Sequence, residues 1–279
     1  MKNIEKFFNE KLMQLRDKMK TDLGTELKVA FYDLKTGQAY DISGNEIGWA
    51  ASMIKVPVLV ATFREIDRGM SLNEKLDIDH RFTLDPTSEV SARPQGSTIT
   101  IDELLNYMIL ASCNESTNML GDRIGIERIN ATMDELGCPK TKISHLLHVG
   151  ASLVYEGIDG TSSNTTTAIE MTKLMAKIYN NQTASETSSE QMRAILENRP
   201  EIEYRRPNVN GFLKTFLPRG TIVGCKAGLL EEDVMETGVI NSDYALTIMI
   251  NKIPSGLITK SIPLIGRISM RIFEEYYKK

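Results

Sequence analysis

Alternation of apolar and polar residues is confined to the two ends of this 279-residue chain, with a long block of helical period between them. Residues 27–34 alternate around Val29 and Phe31, turn through Lys35, Thr36 and Gly37, and return over 38–42, the pattern of a hairpin. Toward the other end, 221–226, 235–240 and 244–251 read as strands, and Asn241, Ser242 and Asp243 turn the last two. Between Ala51 and about Asn180 the apolar spacing is helical. Thr100 followed by Glu103 forms a capping box ahead of Leu104, Leu105 and Met108. Helices also bracket the chain, over 3–20 (Ile4, Phe7, Phe8, Leu12, Leu15, Met19) and 260–277.

Strands split around a helical insert can share one sheet only if it is assembled from both chain ends. The expected class is therefore α+β, an αβα sandwich. A five-stranded antiparallel sheet would carry flanking helices, and an all-helical lobe would stand beside it. On this reading residues 1–45 and 191–279 form the α/β lobe and 46–190 the helical lobe, with a polar stretch over 180–190 separating the helical block from the last third. A cleft between lobes is where a small-molecule site is expected. The aperiodic stretch 148–164 is long for a compact domain, which points to a functional loop.

Acidic residues outnumber basic ones 37 to 33, so no broad basic surface for a nucleic-acid backbone is expected. Apolar runs such as 56–63 are too short to span a bilayer. The first twenty residues scatter their charges and lack the apolar core of a secretory signal. As the sequence stands the expected compartment is the cytoplasm, or the extracellular space or periplasm if a signal has been removed. Cys113, Cys138 and Cys225 cannot all pair and read as free thiols. A Cys113–Cys225 bridge is disfavoured because the side chain after Ser112 should point away from the cleft. His145 and His148 are three apart but have no third ligand, and His80 is isolated. No metal or cofactor is expected, the partner is a small-molecule substrate, and the oligomeric state stays open.

Three short clusters can carry chemistry. Ser52 and Lys55 open the helical run and share a face at i and i+3. A serine hydroxyl becomes a strong nucleophile once a neighbouring base takes its proton, and a lysine can be that base when burial and nearby cations lower its pKa. The first turn of a helix also directs backbone N–H groups at a developing oxyanion. Ser112 and Asn114 follow the helix 101–110 and offer a proton-relaying hydroxyl and an amide. Lys226, at the end of its strand, precedes Ala227 and Gly228, and the glycine permits a ligand to approach the backbone closely. Each cluster alone reads as ordinary helix capping or a solvated strand end.

In order along one chain, Ser-x-x-Lys, Ser-x-Asn and Lys-x-Gly form the triplet of serine β-lactamases and penicillin-binding proteins. The chain resembles the class A β-lactamase family over residues 27–277, and the likeness extends to 99–125, 126–138 and the Thr-rich start of the helix over 164–179. The resemblance implies a β-lactamase/transpeptidase-like fold. It makes Ser52 the acylated nucleophile, Lys55 its proton acceptor and Ser112 the donor to the leaving nitrogen. Lys226 would keep that corner positive and Asn114 would hold the substrate's side-chain amide. The Ser52 and Leu229 N–H groups would form the oxyanion hole.

Two departures matter. Counting back from Asn164, the family's deacylating glutamate falls at Ala151; Glu156 and Asp159 are the nearest carboxylates, with Glu156 the possible replacement. Asn164 itself replaces an acid. Ala227 replaces a Thr or Ser that meets the substrate carboxylate, and Tyr244 and Ala245 stand where an arginine often does. Glu231, Glu232 and Asp233 read as a solvated turn. The expected activity is acyl transfer from an amide, β-lactam or ester to Ser52 with weak or altered penicillin turnover. The alternatives are a conventional class A β-lactamase with a displaced carboxylate, or a penicillin-binding sensor acylated without turnover.

Overall fold

The structure, a computed structural model, describes residues 2–82, 88–147, 164–199 and 209–278. The chain begins with α1 (Lys2–Lys6), a π-helical turn (Phe7–Leu12) and α2 (Met13–Leu23). Where the periodicity predicts one amphipathic helix over 3–20, the helix is longer and changes winding midway. Ile4, Phe8, Leu12 and Met19 are its buried residues. β1 (Glu26–Asp33) and β2 (Ala39–Ile42) form the expected hairpin.

The helical block opens with β3 (Gly48–Trp49), a 3-10 turn (Ala51–Ile54) and α3 (Lys55–Asp67). A ribbon of β4 (Lys75–Asp77) with β5 (Thr98–Thr100) leads into α4 (Ile101–Leu110). The capping box is present: the Thr100 hydroxyl accepts from the Glu103 N–H at 3.1 Å, and the Glu103 carboxylate accepts from the Thr100 N–H at 3.1 Å. Next come α5 (Asn114–Ile124), α6 (Ile126–Glu135), β6 (Thr165–Thr166), which pairs with β3, and α7 (Ala168–Tyr179).

The polar stretch over 180–190 is not a spacer. Ser185 caps α8 (Glu186–Glu197), a helix that runs through position 190. Its polarity is deceptive because Ser188 and Ser189 are buried, and Asp67 on α3 accepts from the Ser185 and Ser188 hydroxyls at 2.7 and 2.6 Å. Small hydroxyls satisfied by a neighbouring carboxylate pack as tightly as apolar side chains without the apolar signature.

The chain ends with β7 (Val223–Leu229), β8 (Val234–Ile240), β9 (Tyr244–Asn251) and α9 (Ile258–Tyr277). The five long strands form one antiparallel sheet in the order β2-β1-β9-β8-β7. α1, α2 and α9 cover one face with an apolar layer that includes Phe8, Phe31, Tyr244 and Ile268. α7 covers the other. A buried hydroxyl ladder joins α7 to the sheet: Thr172 donates to Thr247 at 2.8 Å, and Thr247 meets Thr237 at 2.7 Å. Covering on both faces explains why β8 and β9 are buried at every position rather than at alternate ones. Among the described residues no helix is long and apolar enough to cross a membrane.

One correction bears on the site. β7 does not end at Lys226; it continues to Leu229 through pairing with Val234, Met235 and Glu236. Lys226 is therefore a mid-strand residue opposite Thr237, and it is buried rather than solvated. Thr100→Ala should cost about 1 kcal/mol of stability by removing one arm of the capping box, measured as a lowered urea midpoint with an unchanged slope.

Candidate active site

Ser52 sits in the 3-10 turn just ahead of α3 rather than inside the helix. Ala51, beside it, has φ +44°, a left-handed conformation costly for a side-chain-bearing residue. One turn on, Lys55 is fully buried, and its Nζ lies 2.9 Å from the Ser52 Oγ. Pro57, the third residue of α3, lacks an N–H that a first turn leaves unpartnered in any case.

The corner between α4 and α5 supplies the opposite wall. Ser112 adopts φ +56°, and the Ala111 and Cys113 N–H groups both donate to the Tyr107 carbonyl. This sharp reversal turns three oxygens onto the Lys55 amine: the Ser112 carbonyl at 2.9 Å, the Ser112 Oγ at 3.2 Å and the Asn114 Oδ1 at 2.6 Å. Cys113 points the other way, accepting from the Ser116 N–H as the cap of α5 while its thiol donates to Glu115. Burial raises that thiol to about 11. All three cysteines are free.

β7 brings up the third group. The Lys226 Nζ donates to the Ser112 Oγ at 3.0 Å, the Asn210 Oδ1 at 3.0 Å and the Ala227 carbonyl at 2.9 Å. Ser112 thus stands between two buried amines. Burial, and then repulsion from Lys226, holds Lys55 well below the ordinary lysine range. Burial lowers Lys226 to about 8, and the Glu236 carboxylate behind it opposes the shift. Gly228 packs against the Ser52 turn: a Cβ there would lie 2.9 Å from the Ala51 Cβ and 3.2 Å from the Ser52 nitrogen. Leu229, the last residue of β7, is half-exposed.

This fold has known counterparts. A family model described as the beta-lactamase enzyme family matches residues 11–276.

The chain belongs to the beta-lactamase enzyme family.

Beta-lactamase VEB-1 of Pseudomonas aeruginosa is 28% identical over 187 residues, covering 63% of this chain and 58% of that protein. The match thus spans less than two thirds of that relative. Among solved structures, the chromosome-encoded beta-lactamase of Vibrio parahaemolyticus superposes with a TM-score of 0.81 at 18% identity, covering 96% of this chain and 100% of that one. The beta-lactamase of Sphaerobacter thermophilus gives 0.78 at 19% identity, with 95% and 96% covered. PBP-A gives 0.73 at 23% identity over 93% and 97%, and a variant of it was solved as an acyl-enzyme complex with penicillin G.

Within this beta-lactamase-family chain the structure brings Ser52, Lys55, Ser112, Asn114, Lys226 and Gly228 around one point. Glu156, Asp159, Ala151 and His148 lie outside the described residues. Asn164, in place of the family acid, works through its amide: its Oδ1 accepts from the Ser144 and His145 N–H groups, and its carbonyl accepts from the Ala50 N–H at 2.8 Å. It thereby ties residues 144 and 145 to the start of the Ser52 turn.

Tyr244 does not border the site. Tyr244 packs at ring-centroid distances of 5.1 Å from Phe31 and 4.8 Å from Tyr276, on the sheet face away from Lys226. The residue opposite Ala227 is Glu236. The sequence reading also misses Asn210, whose side chain bonds both Lys226 and the Ala227 N–H. An isolated asparagine before a glycine reads only as a turn signal. Gly228→Ala should force the Ser52 turn outward and cost roughly 1–3 kcal/mol through overpacking, measured by urea denaturation.

Proposed function

We propose that this chain is a serine hydrolase that transfers an acyl group from a β-lactam, amide or ester to Ser52. The observation supporting it most directly is the setting of Lys55. A neutral amine has two N–H donors and one lone pair. The Ser112 carbonyl and the Asn114 Oδ1 can only accept, so they occupy the two donors. The lone pair is then left for a hydroxyl, and the Ser52 Oγ at 2.9 Å is closer than the Ser112 Oγ at 3.2 Å.

The step follows. Ser52 Oγ forms a bond to the carbonyl carbon as its proton passes to Lys55 Nζ. The oxyanion is stabilised by the N–H groups of Ser52 and Leu229. When the C–N bond breaks, Ser112 Oγ gives its proton to the leaving nitrogen and recovers one from Lys55, which returns to the neutral form. Lys226 holds the potential around Ser112 positive throughout, and Asn114 orients the substrate amide. Water then cleaves the Ser52 ester.

Penicillin turnover is weak or altered on this reading, for two reasons. Counting back from Asn164 places alanine where the family has its deacylating glutamate. Ala227 also offers the substrate carboxylate no hydroxyl, a loss of about 1.5–3 kcal/mol of charge-assisted hydrogen bonding. Glu156 is the residue assigned to deacylation if turnover proves efficient.

Progress curves with a penicillin should show release of one equivalent followed by a slow phase. Efficient steady-state turnover abolished by Glu156→Gln would instead make this a conventional β-lactamase. Lys55→Ala should slow acylation by at least about a hundredfold, as for loss of a general base. The acylation rate should fall above about pH 8, where Lys226 loses its charge, and should fall in acid as Lys55 gains a proton.

A further inference from the structure

Lys226 lies on β7, the edge strand of the sheet, and a strap of five residues wraps that edge. On the near face the strap is fastened to the end of α4: the Val209 N–H donates to the Leu110 carbonyl at 3.1 Å, and the Asn210 Nδ2 donates to the Ile109 carbonyl at 2.9 Å. At the edge the Asn210 Oδ1 accepts from the Ala227 N–H at 2.8 Å and from the Lys226 amine at 3.0 Å. Gly211 then turns the strap with φ +121°. On the far face the Glu236 carboxylate, fully buried, accepts from the Gly211 N–H at 2.6 Å with one oxygen and from the Leu213 N–H with the other. Glu236 is opposite Ala227 in the register, so its side chain and that of Lys226 leave opposite faces of the sheet.

We propose that Glu236 is a positioning residue for Lys226: its carboxylate latches residues 209–213 around the sheet edge, so that Asn210 holds the Lys226 amine against Ser112. The inference rests on the role of Lys226 proposed above. A buried carboxylate is costly unless its lone pairs are filled. Here two N–H groups and the Cys225 thiol donate to it. The same strap joins the Ser112 corner to the Lys226 strand, so the latch sets the width of the site. The charge also matters. Lys226 is faced by Lys55 from α3, by Glu236 through β8 and by Cys225 on its own strand; its other partners, Ser112 and Asn210, are neutral. The Glu236 carboxylate opposes the loss of its proton.

Glu236→Gln keeps the volume but supplies one acceptor where two N–H groups need two, and it removes the charge. In this variant acylation by a penicillin should slow roughly ten- to hundredfold, the cost of misplacing a reacting group. The Lys226 midpoint, read from side-chain NMR of lysine-labelled protein with Lys226→Arg as the assignment control, should move below its wild-type value. Asn210→Ala, at the strap rather than in the buried core, should slow acylation in the same way and serves if Glu236→Gln does not fold. A folded variant with an unmoved Lys226 midpoint and wild-type acylation would overturn the latch, whatever its melting temperature. If wild type forms no acyl-enzyme with any β-lactam while the Lys226 midpoint still moves, the proposed function fails and the latch stands.

Discussion

Two buried lysines share one serine hydroxyl, and the site is built around the cost of that arrangement. Removing a charged amine from water is expensive, and a second amine nearby adds repulsion. The oxygens that hold Lys55 and Lys226 are hydroxyls, carbonyls and side-chain amides. Such partners satisfy a neutral amine as well as a charged one, so the cheapest arrangement leaves one lysine without its proton. Lys55, held well below the ordinary lysine range, faces the Ser52 hydroxyl. Lys226 is lowered by burial to about 8, and the buried Glu236 carboxylate behind it opposes that shift.

Backbone strain is placed at the same spot. Ala51 and Ser112 both occupy the left-handed region, at about 1–2 kcal/mol each for residues with a Cβ. Each is followed by a firmly held helix. α3 is buried along most of its length, and α5 is capped by Cys113 with buried residues through its first two turns. Rigid packing on either side over-determines these two turns. That rigidity presents Ser52 and Ser112 to a common point, with Gly228 filling the gap between the sheet and the Ser52 turn.

Much of this is legible in the residues. The split of strand and helix periods dictates a sheet built from both ends, and 244–251 coincides with β9 because its burial and flanking turn agree. The three short motifs are local and fall on helix starts, corners and strands that the periodicity locates independently. What escapes is long-range or lacks an apolar signature. α8 hides behind serines whose hydroxyls bond Asp67. β3 and β6 are two residues each, below any periodicity. Lys226 reads as a strand end because Ala227, Gly228 and Leu229 carry no alternation, yet pairing with β8 extends the strand past them. Asn210 and Glu236 are single polar residues whose roles exist only once the strap and the sheet edge meet.

The central claim is that Ser52 is the acylated atom. Intact-protein mass spectrometry after incubation with a penicillin, followed by peptide mapping, tests it most directly. The account predicts a single adduct of the penicillin's mass on the peptide carrying Ser52 and none on Ser52→Ala. An adduct that persists on Ser52→Ala, or that maps to another residue, would contradict it.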